Sequence, residues 1–464
     1  MAREEIHASS GRPTGESLTS NPPTERRNSF LWGTATSSHQ IEGGNDKNDW
    51  WAWELEGNIE GGARSGQATD HWNRFREDIR LAHELGLNSY RFSLEWSRVE
   101  PQEGQWDSAA FEWYEELLNE CEKYSLTPML TLHHFTSPKW FADAGGFTWP
   151  GSARRFAEYT KKVAQRLGSR VPLWCTFNEP MVMITGGYLG KFMPPAKFWP
   201  EGASLACRNI LKSHVRAYEI LKQEIQRPVE VGIAHNLLDF MPDRYWHPME
   251  LVITQVLHRF YNRSWLDAVT GRKQNFGVPG LVPKPRPVMD ALKRKTVDFI
   301  GVNYYTKAYV KWRSRDAAEG VSSDFPIGLA FSRRHEAVSD VGWAVHPQGL
   351  KKILKFVSGY GLPIYITENG IADRSDSLRK EYLSSHLAAT AEAIQEGMDI
   401  RGYYYWSLMD NFEWVKGFGP RFGLYSVDYD TFDRQLRDSG TYLSKLIQAH
   451  KEGDVWKSPR PDLL

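Results

Sequence analysis

Two apolar runs in the chain deliver a glutamate to their ends. LWCTFNEP at 173–180 closes on Asn178, Glu179 and Pro180, and PIYITENG at 363–370 closes on Glu368, Asn369 and Gly370. Two carboxyl groups flanking one bond are what hydrolysis of a glycosidic link requires: one protonates the leaving oxygen, the other attacks or activates water. Other apolar runs end on Arg91, on His134, on Asn303 with Tyr305, and on Trp406. Amides, a histidine, a tryptophan floor and two carboxylates, with no phosphate-binding glycine loop, describe a pocket for a sugar. Taken singly, each residue has a blander reading. A glutamate before proline is ordinarily solvated or caps a turn, with Pro180 ending the ladder and pushing Glu179 into an extended conformation. Asn178 and Asn369 suit turns, Trp406 suits a core, and Asp410, Glu413 and Asp428 read as loop charges. His133 and His134 are neighbours on an extended run and so point to opposite faces; with no second metal-binding pattern beside them, neither a metal nor a cofactor is expected.

Such residues act together only if one fold brings the ends of many strands to one place. Short apolar or β-branched runs occur at 30–35, 88–94, 127–132, 172–177, 229–235, 297–303, 363–367 and 402–407. They alternate with segments of helical period at 69–86, 108–124, 151–169, 203–225, 248–268, 347–359, 376–397 and 438–451. In the first of these, Thr69 or Asp70 is placed to cap a stripe of Trp72, Phe75, Ile79, Ala82 and Leu85, and Gly86 closes it. Strands each followed by a helix predict an α/β fold, a (β/α)8 TIM barrel, as one catalytic domain over 28–464. Two long connections, 304–346 and 408–437, are expected to build its active-site face. Strands four and seven, which carry Glu179 and Glu368, lie across the barrel mouth from each other.

Composition narrows the ligand. Lys plus Arg and Asp plus Glu number 57 each, so no global field draws the chain to nucleic acid or an anionic membrane, and a small neutral ligand suits it better. The 19 Trp, 20 Tyr and 22 Phe fill a core and leave rings to line a pocket. Cys121, Cys175 and Cys207 are odd in number and far apart, which reads as buried thiols in a reducing compartment rather than a disulfide framework. Residues 1–27 are polar, rich in Gly, Pro, Ser and Thr, and lack the apolar core of a signal peptide; they read as a disordered extension. No run of about 18 apolar residues is present, so a cytoplasmic protein without a membrane partner is expected. The NRS sequon at 262–264 falls in a predicted helix and is discounted.

The same residues sit in segments that closely resemble the retaining β-glycosidases of glycoside hydrolase family one. TFNEP and ITENG are joined by HQIEGG at 39–44, YRFSLEWSR at 90–98, YWSLMDNFEW at 405–414 and RFGLYSVDYDT at 421–431, in the family's order from Phe30 to the chain's end. The resemblance implies that Glu179 is the general acid/base and Glu368 the nucleophile, with carboxyl groups about 5 to 5.5 Å apart. It also implies that Arg91 and Tyr305 hold Glu368 ionised, and a charged Glu368 in turn raises the pKa of Glu179. Gln40, His134, Asn178, Glu413 and Trp414 are then the hydroxyl clamp of the glycone subsite and Trp406 its floor. Asn178 meets the sugar's 2-hydroxyl, and Gln40 and Glu413 read O4 and related hydroxyls. Trp343 is an aromatic of the aglycone subsite, and Asn303 supports the shell of the nucleophile.

Glu413 also argues for unphosphorylated sugars, because the phospho-sugar members lack this carboxylate. A carboxylate about 4 Å from a phosphate costs roughly 4 kcal/mol per unit charge at an effective dielectric of about 20. Myrosinase-like relatives carry Gln where this chain has Glu179, which favours an acid-requiring hydrolase. His39, Phe135 and Thr136 depart from the family's usual aromatic, Trp and Asp. The implied activity is retaining exo-hydrolysis of non-reducing terminal β-D-glucosides, with β-galactosides and β-fucosides as further substrates. Two other readings stand beside it: a transglycosidase using an alcohol or sugar acceptor, and a catalytically silent sugar-binding barrel. Retention of both glutamates with Arg91 and Tyr305 argues against the second.

Overall fold

A computed structural model describes residues 30–272, 294–312 and 327–451; the expected extension at 1–27 lies outside them. Eight strands close into a barrel: β1 Leu31–Ala35, β2 Ser89–Ser93, β3 Thr127–His133, β4 Leu173–Asn178, β5 Glu230–Asn236, β6 Phe299–Asn303, β7 Ile364–Asn369 and β8 Ile400–Trp406. Each pairs in parallel with its sequence neighbour, and β8 returns to β1 through Leu31–Gly402 to Ala35–Trp406. Every expected run is a barrel strand, with ends displaced by two residues at most.

Helices follow the strands because parallel neighbours need a crossover, and the crossover covers the barrel's outer face with an apolar stripe. The helix Ser152–Leu167 buries Phe156, Tyr159, Val163 and Leu167 at spacings of three and four. In the helix His71–Glu84 the cap residue is Asp70, held left-handed at φ 56° with no side-chain cap bond, and Gly86 at φ 81° follows its end. The segment expected as one helix over 248–268 is broken. Pro248–Leu257 passes into a π-helical turn at His258–Arg263 before Ser264–Val269 resumes. Asn262 of the sequon is buried in that turn, donating to Leu238 O at 2.7 Å.

Inside the barrel Met129, Leu173, Cys175, Ala234, Phe299, Tyr365, Tyr404 and Trp406 share one core. Small residues face large ones: a methyl at Gly232 would stand 2.5 Å from the Phe299 ring, and one at Gly33 would overlap Tyr404. Glycine is required at both by close approach rather than by backbone conformation. Cys121, Cys175 and Cys207 are buried and unbonded to one another. Among the described residues no helix is long and apolar enough to cross a membrane.

The described parts of the two long connections carry short strands of their own. Asp239–Pro242 pairs in parallel with Lys307–Trp312, which pairs antiparallel with Ile327–Ala330; Tyr425–Val427 and Arg434–Leu436 form a hairpin. These strands are too short for a clear period, and the first pair joins segments remote in sequence. Within the second connection Asp410 is held by Arg437 at 2.8 Å, and Asp428 accepts from the Asp430 and Thr431 amides. Those two acids brace the loop, as expected of loop charges. Glu413 does not: its neighbours belong to the barrel mouth.

Candidate active site

The barrel's C-terminal rim gathers the expected residues through strand register. Asn236 on β5 stands opposite Asn303 on β6, and Asn303 stands opposite Glu368 on β7. The pairing shifts register at the last residues of β4 against β5 and of β6 against β7. Such irregularities at a barrel rim re-aim side chains toward the mouth. Two strand ends bearing amides therefore lie between the strand that delivers Glu179 and the strand that carries Glu368.

Glu179 corrects one expectation. It is left-handed, at φ 46° and ψ 57°, not extended, and its N–H donates to Ala234 O at 2.7 Å. Proline disfavours the right-handed region for the preceding residue but leaves the left-handed one open, at a cost of about 1–3 kcal/mol for a residue with a side chain. Pro180 is the first residue of the helix Pro180–Thr185, where its missing N–H costs nothing. At this kink the Glu179 carboxyl meets the two amides: Asn303 Nδ2 donates to Oε1 at 2.8 Å and Asn236 Nδ2 to the same oxygen at 3.3 Å.

Glu368 is held at both oxygens. Arg91 donates to Oε1 at 2.5 Å and the Tyr305 hydroxyl to Oε2 at 2.6 Å; Arg91 and Glu368 are buried and Tyr305 is half-buried. Burial raises the pKa of Glu368 against the opposing pull of Arg91, Tyr305 and Asn303. It pushes Glu179 up to about 8, helped by the charge on Glu368. Burial acts on both carboxyls; the cation contact belongs to Glu368 alone. Glu368 therefore ionises first and Glu179 keeps the proton.

The same guanidinium sets the orientation of the Asn178 amide. Arg91 donates to Asn178 Oδ1 at 2.7 Å and Asn303 donates to it at 3.1 Å, so the Asn178 nitrogen faces His134 Nε2 at 3.0 Å. His134 is kept neutral by burial and by Arg91. Its Nε2 accepts, which puts its proton on Nδ1, a buried atom with no protein partner. His133, on the other face of β3 as expected, bonds Ser137 and packs on Phe147 and Phe177.

At the far side Gln40 donates to Asn411 Oδ1 and Phe412 O at 2.9 Å each and to Glu413 Oε2 at 3.3 Å. Burial, then the charge on Glu368, pushes Glu413 up to about 8. A raised Glu413 pKa weakens the expected electrostatic exclusion of phosphate at any pH where the carboxyl is protonated. Trp406 and Trp414 both lie near-parallel to the His134 ring, with centroids 5.9 and 6.1 Å away. Trp343 is half-buried at the rim, 5.6 Å from Tyr305. The structure thus brings all the expected site residues to one mouth.

Comparison with known proteins agrees with this geometry. The family model for glycosyl hydrolase family 1 matches residues 24–452. A curated β-galactosidase of Pyrococcus woesei is 30% identical, over 94% of this chain and 99% of its own. Among solved structures, a β-glycosidase from Pyrococcus horikoshii is 40% identical with a TM-score of 0.79, covering 90% of this chain and 94% of that one. A Thermotoga maritima β-glucosidase in complex with glucoimidazole is 31% identical with a TM-score of 0.84, covering 91% and 98%. The chain belongs to glycosyl hydrolase family 1. It is a β-glycosidase of the (β/α)8 fold.

Within this family 1 enzyme the three departures occupy the wall behind the clamp. His39 pairs with buried Glu54 at 2.7 Å and lies parallel to Trp414, centroids 5.8 Å apart. Thr136 donates to buried Glu95 at 2.9 Å, and Phe135 stands edge-on to Trp414 and His134. Sequence reasoning missed Asn236, although it ends β5 as Asn178 ends β4 and the strand-end rule would have found it. It also missed Tyr261 and Thr367, whose hydroxyls bond the two amides; nothing local to either residue signals that contact.

Proposed function

We propose that this family 1 enzyme is a retaining exo-β-glycosidase, with Glu368 as nucleophile and Glu179 as acid/base. The observation that carries this reading is the unequal dressing of the two carboxyls. Glu368 has a cation on one oxygen and a phenol on the other; Glu179 has amides on one oxygen and a pKa pushed to about 8. An ionised Glu368 attacks the anomeric carbon while Glu179 gives its proton to the leaving oxygen, so the glycosidic bond breaks as an ester to Glu368 forms. Esterification removes the charge that, after burial, raised the Glu179 pKa. Its pKa falls, and Glu179 takes a proton from water as that water attacks the anomeric carbon and releases the sugar with its configuration retained.

The clamp reads a non-reducing terminal sugar: Asn178 its 2-hydroxyl, His134 a neighbouring hydroxyl, Gln40 and Glu413 the O4 side, with Trp406 beneath the ring and Trp414 beside it. Trp343 borders the aglycone. The β-D-glucosides are the first substrate class, with galactosides and fucosides beside them. The glucoimidazole complex of the Thermotoga maritima relative supports a gluco-configured glycone. Among the described residues the Glu413 carboxyl has Gln40 and Trp406 as partners and no cation, which supports unphosphorylated sugars even where Glu413 is neutral.

Azide separates the roles. Glu368→Gly with azide is expected to yield the α-glycosyl azide, and Glu179→Ala with azide the β-glycosyl azide from an activated aryl glycoside. Absence of either product sinks the assignment. Hydrolysis of aryl β-glucoside, β-galactoside and β-fucoside ranks the glycones, and product analysis with added alcohol measures transfer against hydrolysis.

A further inference from the structure

Two amides donate to one oxygen of Glu179, and neither amide is free to turn. Asn303 and Asn236 direct Nδ2 at Glu179 Oε1, at 2.8 and 3.3 Å. A carboxamide is nearly symmetric in shape, so turning it over costs little sterically and would point a carbonyl at the carboxyl instead. In each case a hydroxyl that donates to the carbonyl oxygen opposes this, and for Asn303 the Asn178 Oδ1 held by Arg91 takes an amide hydrogen as well. Thr367 Oγ1 donates to Asn303 Oδ1 at 2.7 Å, and the Tyr261 hydroxyl donates to Asn236 Oδ1 at 2.8 Å.

Both hydroxyls are themselves well placed. Thr367 is fully buried on β7 immediately before Glu368, and its side chain occupies space that any residue larger than Gly301 would take: a methyl there would stand 2.8 Å from Thr367 Cγ2. Tyr261 is presented by the π-helical turn His258–Arg263, whose wider winding shifts side chains around the helix axis. His235 Nε2 contacts Tyr261 O at 3.1 Å, and Asn262 bonds both Leu238 N and Leu238 O, tying the turn to the end of β5.

We propose that Tyr261 and Thr367 are positioning residues of the acid/base centre: their hydroxyls lock the Asn236 and Asn303 amides so that both donate to Glu179 Oε1, leaving Oε2 to carry and exchange the proton. This rests on the reading of Glu179 as acid/base. The titratable groups facing Glu179 are Glu368 and Tyr305 from the β7 and β6 ends, Arg91 from β2 and Tyr261 from the π-helical turn. Burial and Glu368 favour the protonated acid, whereas the two amide donors favour the anion. Without its lock an amide can present its carbonyl to Oε1, the anion loses a donor, and Glu179 keeps its proton to higher pH.

The test is the pH dependence of kcat/KM on p-nitrophenyl β-glucoside for Tyr261→Phe, Thr367→Val and the hydroxyl-retaining Thr367→Ser. The basic limb is expected to move up by about one pH unit in the first two and to stay near wild type in the third. A role confined to packing would lower kcat/KM at every pH and leave the limb in place. Glu179→Ala with and without azide is the control. If that variant keeps the basic limb, the reading of Glu179 fails. If it loses the limb and azide restores turnover, while Tyr261→Phe and Thr367→Val leave the limb unmoved, the lock alone fails.

Discussion

Arg91 and Glu368 form a buried ion pair at 2.5 Å, and the second arm of the same guanidinium holds Asn178 at 2.7 Å. One planar fork thus orients both the proposed nucleophile and the amide proposed to read the 2-hydroxyl. A lysine can supply the charge but not the fork. Arg91→Lys is expected to lower kcat/KM by about a hundredfold or more, the scale of losing an oriented electrostatic donor. Arg91→Met, which leaves Glu368 buried without a cation, is expected to cost about 3–5 kcal/mol in urea unfolding. Unchanged kinetics in the lysine variant would refute the dual role.

Glu179 sets a pH dependence of both rate and stability. Its pKa is raised in the fold from 4.5 to about 8, so activity is expected to fall as pH rises through that region and, at the acid end, as Glu368 takes up a proton. The folded state binds this proton more tightly than the unfolded one, so the contribution to stability is full below 4.5 and lost as pH rises through 8. Glu179→Gln is therefore expected to raise the melting temperature relative to wild type at pH 9 more than at pH 4. Parallel curves would count against it.

Glu413 carries the same signature, a pKa pushed up to about 8 by burial and by Glu368. Discrimination against a 6-phosphoglucoside relative to the plain glucoside should then sharpen as pH rises through that value, where repulsion of roughly 4 kcal/mol per unit charge at about 4 Å sets in. Glu413→Gln is expected to abolish that pH dependence. The ratio of kcat/KM values for the two substrates, followed across pH, decides it.

Gly232 tests the barrel core. Its added methyl would stand 2.5 Å from the Phe299 ring, which packs edge-on to Tyr365 with centroids 4.9 Å apart and cannot withdraw freely. Gly232→Ala is expected to cost about 1–3 kcal/mol by overpacking. Phe299→Leu in the same chain should return part of that loss in chemical denaturation.

The barrel was legible because its signals are local. Each strand is a short apolar run, each crossover a stripe at helical spacing, and the sugar-reading residues follow the run that carries them. Asn178, Asn303 and Trp406 were found by that rule, and Asn236 obeys it too. Glu413 and Trp414 lie in a connection, and only the resemblance to a family lifted them from loop residues to site residues. The short strands Lys307–Trp312 and Ile327–Ala330 were not legible, since each exists only through its partner.

By itself the sequence determined the barrel, its order of strands, and the two glutamates that reach its mouth, because periodicity and chain breaks depend on near neighbours. Tertiary structure alone decided the left-handed turn at Glu179, the upward push on the Glu413 pKa, and which way each amide faces. Those depend on contacts across the chain, such as Asn303 with Glu179, 124 residues apart, and Gln40 with Glu413, 373 apart. Burial and hydrogen-bond geometry are properties of the assembled mouth, and no single stretch of residues contains them.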